Sequence, residues 1–114
     1  METLSEFSFH CEDIIFNLKR KPAVISWLSY SIKNENKVSG DISYIFCSDE
    51  YLHKINLKHL NHNTLTDTIT FDYCEEKIVN GDLYISIERV IENAKLYNST
   101  IENELHRVMI HGIM

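Results

Sequence analysis

The pair His111-Gly112, close to the last residue of a 114-residue chain, is the first place to look for chemistry. On a helix, His111 lies one turn from Val108 and two turns from Glu104, at the edge of an apolar stripe. Ligands one turn apart on a helix converge on one metal, which is how helix-borne metal sites are built. In the metalloprotease version a Glu follows the first His and acts as general base. Gly112 stands there instead, so peptide hydrolysis of that kind is disfavoured, and a metal-bound water would need a base from elsewhere. Taken alone, His111 reads more readily as a packed or capped core histidine than as a ligand. The second place is the polar connector over residues 59–67, which holds His59, His62, Thr66 and Asp67 without any Gly or Pro. As a plain loop it would use Thr66 and Asp67 to satisfy backbone donors. Polar loop residues on a rigid scaffold are also where function gathers. Lys19, Arg20 and Lys21 form the dense cationic cluster of the chain, either a solvated face or a local basic patch.

The bulk properties narrow the classes. One domain of this length can bury a core without disulfides or a structural metal. With 44% hydrophobic and 25% charged residues it is an ordinary globular sequence, which disfavours disorder and a fibrous role. No apolar run approaches the ~20 residues that cross a bilayer, and the start METLSEFSFH has no basic segment followed by a hydrophobic one, so a cytoplasmic protein with no membrane partner is expected. Cys11, Cys47 and Cys74 are odd in number and widely spaced, which fits reduced, partly buried thiols. A formal charge of −6 argues against broad nucleic-acid binding, though not against a local basic patch. There is no Gly-rich nucleotide-binding loop.

These residues need elements to position them. Residues 4–10 alternate and 14–16 are an apolar triplet, so a strand or bent strand pair opens the fold. Pro22 suits the first turn of a helix, and Val24, Trp27, Leu28 and Ile32 carry its stripe to about Lys33. Residues 37–40 read as a turn. The run D-I-S-Y-I-F-C is a second strand, and Ser48-Asp49-Glu50 starts a helix that reaches about Leu60. T-I-T-F-D-Y-C is a third strand, Asn80-Gly81-Asp82 reads as a turn, and L-Y-I-S-I is a fourth strand. Ser86 caps a helix through Ala94. Ser99 or Thr100 caps the last helix, whose stripe is Ile101, Leu105, Val108, Met109 and Gly112. The order is β-α-β-α-β-β-α-α, an α+β fold with a mixed four-stranded sheet packed against helices; whether the first strand is parallel or antiparallel is left open. Because the apolar pattern has no stop signal before Met114, the chain is expected to continue beyond it.

Three motifs in order resemble one family. T-D-T-I-T-F-D-Y from Thr66, G-D-L-Y-I-S from Gly81 and E-L-H-R-V-M-I-H-G from Glu104 are similar to the P-T-[DN]-V-L-S-F, G-D-[IL]-x-I and H-G-x-L-H-L-x-G-x-D-H segments of the YbeY family of bacterial metal-dependent endoribonucleases. The resemblance implies one zinc ion held by three signature histidines, of which His111 is the first and the second would fall one residue past Met114. The 114 residues would thus be a single domain that lacks its C-terminal metal-ligand segment. It implies hydrolysis of single-stranded RNA in ribosomal RNA maturation, including the 3′ end of the small-subunit RNA, and in ribosome quality control. Ribosomal RNA and the small ribosomal subunit would be the partners. Thr66, Asp67 and His62 would line the catalytic cleft, and Lys19, Arg20, Lys21, Lys58 and His59 would meet the RNA backbone. The sequence departs from the family at Leu60, where a basic residue is usual, and Lys58, His59 or His62 are the candidates to replace it. A non-catalytic module that binds RNA or the ribosome is the chief alternative.

Overall fold

The computed structural model describes residues 6–60 and 66–113. The elements are β1 (Glu6–Cys11), α1 (Lys21–Asn34), β2 (Val38–Cys47), α2 (Asp49–Leu60), β3 (Thr68–Asp72), β4 (Ile78–Ser86), α3 (Ile87–Leu96) and α4 (Ile101–Ile113). This is the expected α+β order. The sheet runs β1-β2-β4-β3, so β3 is an edge strand. β1 is parallel to β2 and β2 to β4, whereas β3 lies antiparallel to β4.

One face of the sheet carries the main core. Val24, Leu28 and Ile32 of α1 and Leu105, Val108 and Met109 of α4 pack there with Ile42, Tyr44, Phe46, Leu83 and Ile85. Each such side chain withdrawn from water is worth roughly 1.5–3 kcal/mol, which is why the helical stripes seat on this face. Tyr44 donates its hydroxyl to the Met109 carbonyl at 2.8 Å, so its phenol ties α4 to β2; burial pushes its pKa far above the usual range. The other face is covered by α2, through Leu52, Ile69 and Cys47. Trp27 and Ile101 were expected within buried stripes, but they are 38% and 45% exposed.

Three local expectations are corrected. Residues 14–16 are not a strand; the chain runs there as irregular backbone from β1 to α1. Residues 38–40 belong to β2, because the helix stops earlier, at a left-handed Asn36 (φ 59), and the Val38 N–H already bonds to the Lys77 carbonyl. Asn80-Gly81-Asp82 lies inside β4. The hairpin instead closes at Glu75 and Ile78, which exchange both backbone bonds, with Glu76 left-handed between them (φ 51). Asn80 serves a different purpose: its Oδ1 accepts the Asp41 N–H at 2.8 Å, occupying the space where a Cβ on Gly40 would sit. The glycine and the asparagine together shape the irregular register between Ser39 and Ile42 of β2.

All three cysteines are free. Cys47 is buried, while Cys11 and Cys74 are exposed, against the expectation that all were partly buried. Burial first, and then the carboxylates of Asp13, Asp49 and Glu12, push the Cys47 thiol up to about 12. A thiol-reactive dye at pH 8 is therefore expected to label Cys11 and Cys74 rapidly and Cys47 only after denaturation. Equal labelling rates for all three in the native protein would contradict this burial.

Candidate functional site

The start of β3 and the last turns of α4 meet at the edge of the sheet. Thr70 Oγ1 donates to the Gly112 carbonyl at 3.1 Å, fixing the end of α4 against β3. Gly112 lets the helix approach closely there, since a Cβ would come within 2.5 Å of Leu83 Cδ2, which would have to shift. One residue earlier, His111 is exposed on the last turn. The expectation that it borders the buried stripe therefore holds on its solvent side.

One turn before His111, Arg107 gathers two carboxylates. Its Nε bonds to Glu104 Oε1 at 2.5 Å and its Nη2 to Glu104 Oε2 at 3.2 Å. The same Nη2 lies 3.6 Å from Asp67 Oδ2. The hydrogen bond to Glu104 leads in raising the Arg107 pKa, with the charges of Glu104 and Asp67 adding to it. Asp67 is held by its backbone as well, because its carbonyl accepts the Ser86 N–H at 3.0 Å. Thr66 donates to the Thr68 carbonyl at 3.1 Å, the local turn bond that a polar connector offers. Thr68 Oγ1 is buried with no hydrogen-bond partner among the described residues, on the strand face shared with Thr70.

Thr66, Asp67 and His111 are thus brought to one edge, with Arg107 as the bridge. His62 lies outside the described residues, as does the side chain of Leu60. Lys58 and His59, at the end of α2, lie on the opposite face of the sheet; the His59 ring meets Phe71 edge-on at 5.9 Å. Since Thr70 and Phe71 are neighbours on β3, the ends of α4 and α2 flank the same edge strand from its two faces. Lys19 and Arg20 are elsewhere. They border Thr100 and Ile101 in the first turn of α4, and ten helical residues separate that turn from His111, about 15 Å. Lys21 stands 5.9 Å above the Phe9 ring.

Sequence reasoning overlooked Glu104, Arg107, Thr68 and Thr70. Glu104 suits the positive end of the helix as a first-turn carboxylate, yet it is only 3% exposed. The available signal was the Glu-x-x-Arg spacing, since residues three apart on a helix are neighbours. Among the described residues, no group of three or more His, Cys, Asp or Glu side chains could hold a metal ion. An exposed imidazole on the last turn of a helix suits one metal ligand.

The fold and site define a class: an α+β fold with a mixed four-stranded sheet, in which α4 presents a histidine and glycine beside the edge strand β3. Residues 9–114 match the family described as Endoribonuclease YbeY. The Endoribonuclease YbeY of Flavobacterium johnsoniae is 52% identical over 99 residues, covering 87% of this chain and 71% of that protein. Its counterpart in Porphyromonas gingivalis is 42% identical over 111 residues, covering 97% and 74%. The solution structure of TM1509 from Thermotoga maritima superimposes with a TM-score of 0.63 at 26% identity, covering 95% of this chain and 69% of that one. The chain belongs to the YbeY family.

Proposed function

We propose that this protein is a zinc-dependent endoribonuclease of single-stranded RNA, acting in the cytoplasm on ribosomal RNA during small-subunit maturation and ribosome quality control. Family membership, with relatives named as endoribonucleases, supports the nuclease reading. The observation that carries it to a place in the molecule is the exposed His111 beside the Asp67–Arg107 pair. His111 would be one metal ligand, the others coming from outside the described residues. A bound zinc would supply an acidified water and a polarised phosphoryl oxygen.

The chain's own residues do the rest. Arg107 holds Asp67 toward α4, so that one carboxylate stays at this edge and can accept a hydrogen bond from a water or a ribose hydroxyl. Thr66, whose hydroxyl donates to the Thr68 carbonyl, offers a further oxygen at the same edge. Lys58 and His59, across β3, would meet the RNA backbone as it passes over the edge strand.

A second reading, a binding module without cleavage, draws on one observation: Arg107 already faces two carboxylates, which leaves little positive charge for a phosphate beside His111. Cleavage of single-stranded and duplex RNA by the full gene product, with zinc content measured before and after chelation, separates the two. Loss of cleavage with the metal supports the nuclease. Salt-dependent RNA binding without cleavage in either state would replace it with the module.

A further inference from the structure

At the far end of α4 lies a groove that the nuclease reading does not use. It has a volume of about 620 Å³ and runs between the segment before α1 and the first turns of α4. Its walls are apolar: Phe16 and Leu18 on one side, Ile101 and Leu105 on the other. Ile101 keeps 45% of its surface exposed, so the groove opens onto a large uncovered side chain. Lys19 and Arg20 stand on one lip, both exposed and in no ion pair among the described residues. The first turn of α4 adds the positive end of its dipole.

We propose that this groove docks a short segment of a partner protein in which one or two apolar side chains are flanked by Asp or Glu. The apolar walls suit inserted side chains, and the two cations on the lip suit carboxylates beside them. A volume of this size falls in the range of pockets that bury most of a small ligand. RNA fits less well. A polyanion needs a track of cations, whereas here there are two, faced by Glu102 on the opposite lip. The net charge of −6 works against a long polyanion at any distance within the screening length, while a segment carrying one or two carboxylates meets chiefly the local field.

The groove has its own reporter. Trp27, the single tryptophan of the chain, is 38% exposed, and its ring lies 5.6 Å from that of His106, which lines the groove. The test is selection of an unbiased dodecapeptide phage library on the purified protein, followed by titration of the recovered peptides against Trp27 emission. The expected result is recovery of peptides with Asp or Glu next to an apolar residue, saturable change in Trp27 emission, and affinity about tenfold lower for Lys19→Glu/Arg20→Glu. Ile101→Glu should lower it as well, and both variants change exposed residues, so circular dichroism should show the native fold. Several outcomes would overturn the proposal: no enriched peptide, enriched peptides without acidic residues, or binding indifferent to both variants. So would displacement of the peptides by a single-stranded oligoribonucleotide, which would make the groove an RNA track. Self-association in the peptide's absence that Ile101→Glu abolishes would assign the groove to a second copy of the chain instead.

Discussion

In the full gene product, His111→Ala is expected to remove bound zinc and RNA cleavage together, while the variant stays about as stable as the metal-free native protein. The side chain is exposed and accepts or donates no hydrogen bond among the described residues, and substitutions at such positions usually fall within about 0.5 kcal/mol. For a domain of this size that is a shift in Tm of about 2–4 °C. A ligand lost from a metal site has no such mild consequence, because the remaining donors bind too weakly to keep the ion and its activated water. Zinc content and cleavage of single-stranded RNA, with thermal melting of both proteins after chelation, check this. If the variant keeps its zinc and its cleavage, His111 is not a ligand and the proposed site is wrong.

Arg107→Ala should be the most damaging single change near the site for stability. Glu104 is a buried carboxylate with Arg107 as its cation. Removing one partner of a buried pair typically costs 3–5 kcal/mol, because a charge remains without compensation. The Arg107 side chain is 52% exposed, so water can partly replace it, and we expect about 2–3 kcal/mol. Glu104→Gln/Arg107→Ala, which removes the stranded charge, should recover much of the loss, and Arg107→Lys a smaller part. Urea unfolding at pH 7 checks all three variants. A double variant no more stable than Arg107→Ala would show that Arg107 acts through packing and not through its charge.

Much of the fold was legible residue by residue. Leu105, Val108 and Met109 recur on one helical face and are buried together; Ser86 precedes α3 and its hydroxyl accepts the Arg89 N–H; Thr100 does the same for Asn103 at the start of α4. These signals are local, for a cap and its helix lie within three residues and a stripe within a few turns. The misplaced turns at residues 37–40 and 80–82 have the opposite origin. Gly40 and Asn80 carry turn chemistry, but a contact between positions forty residues apart uses both of them inside paired strands. Nothing in either short stretch shows the other.

The candidate site divides in the same way. The types and order of Thr66, Asp67, Gly81, Asp82, His111 and Gly112 were enough to suggest the family, because motif spacing is a property of the chain. Which of these residues meet was decided by tertiary structure. β3 pairs antiparallel with β4 at one edge of the sheet and α4 packs beside it, so Asp67 comes to Arg107 and Thr70 to Gly112 across forty or more residues. The same packing buries Glu104 and sends Lys19 and Arg20 to the far end of α4. Helical periodicity and capping follow from backbone geometry and are written locally. Strand pairing and the partner of a buried charge follow from which distant surfaces close on one another, and that is settled only when the sheet and its helices pack.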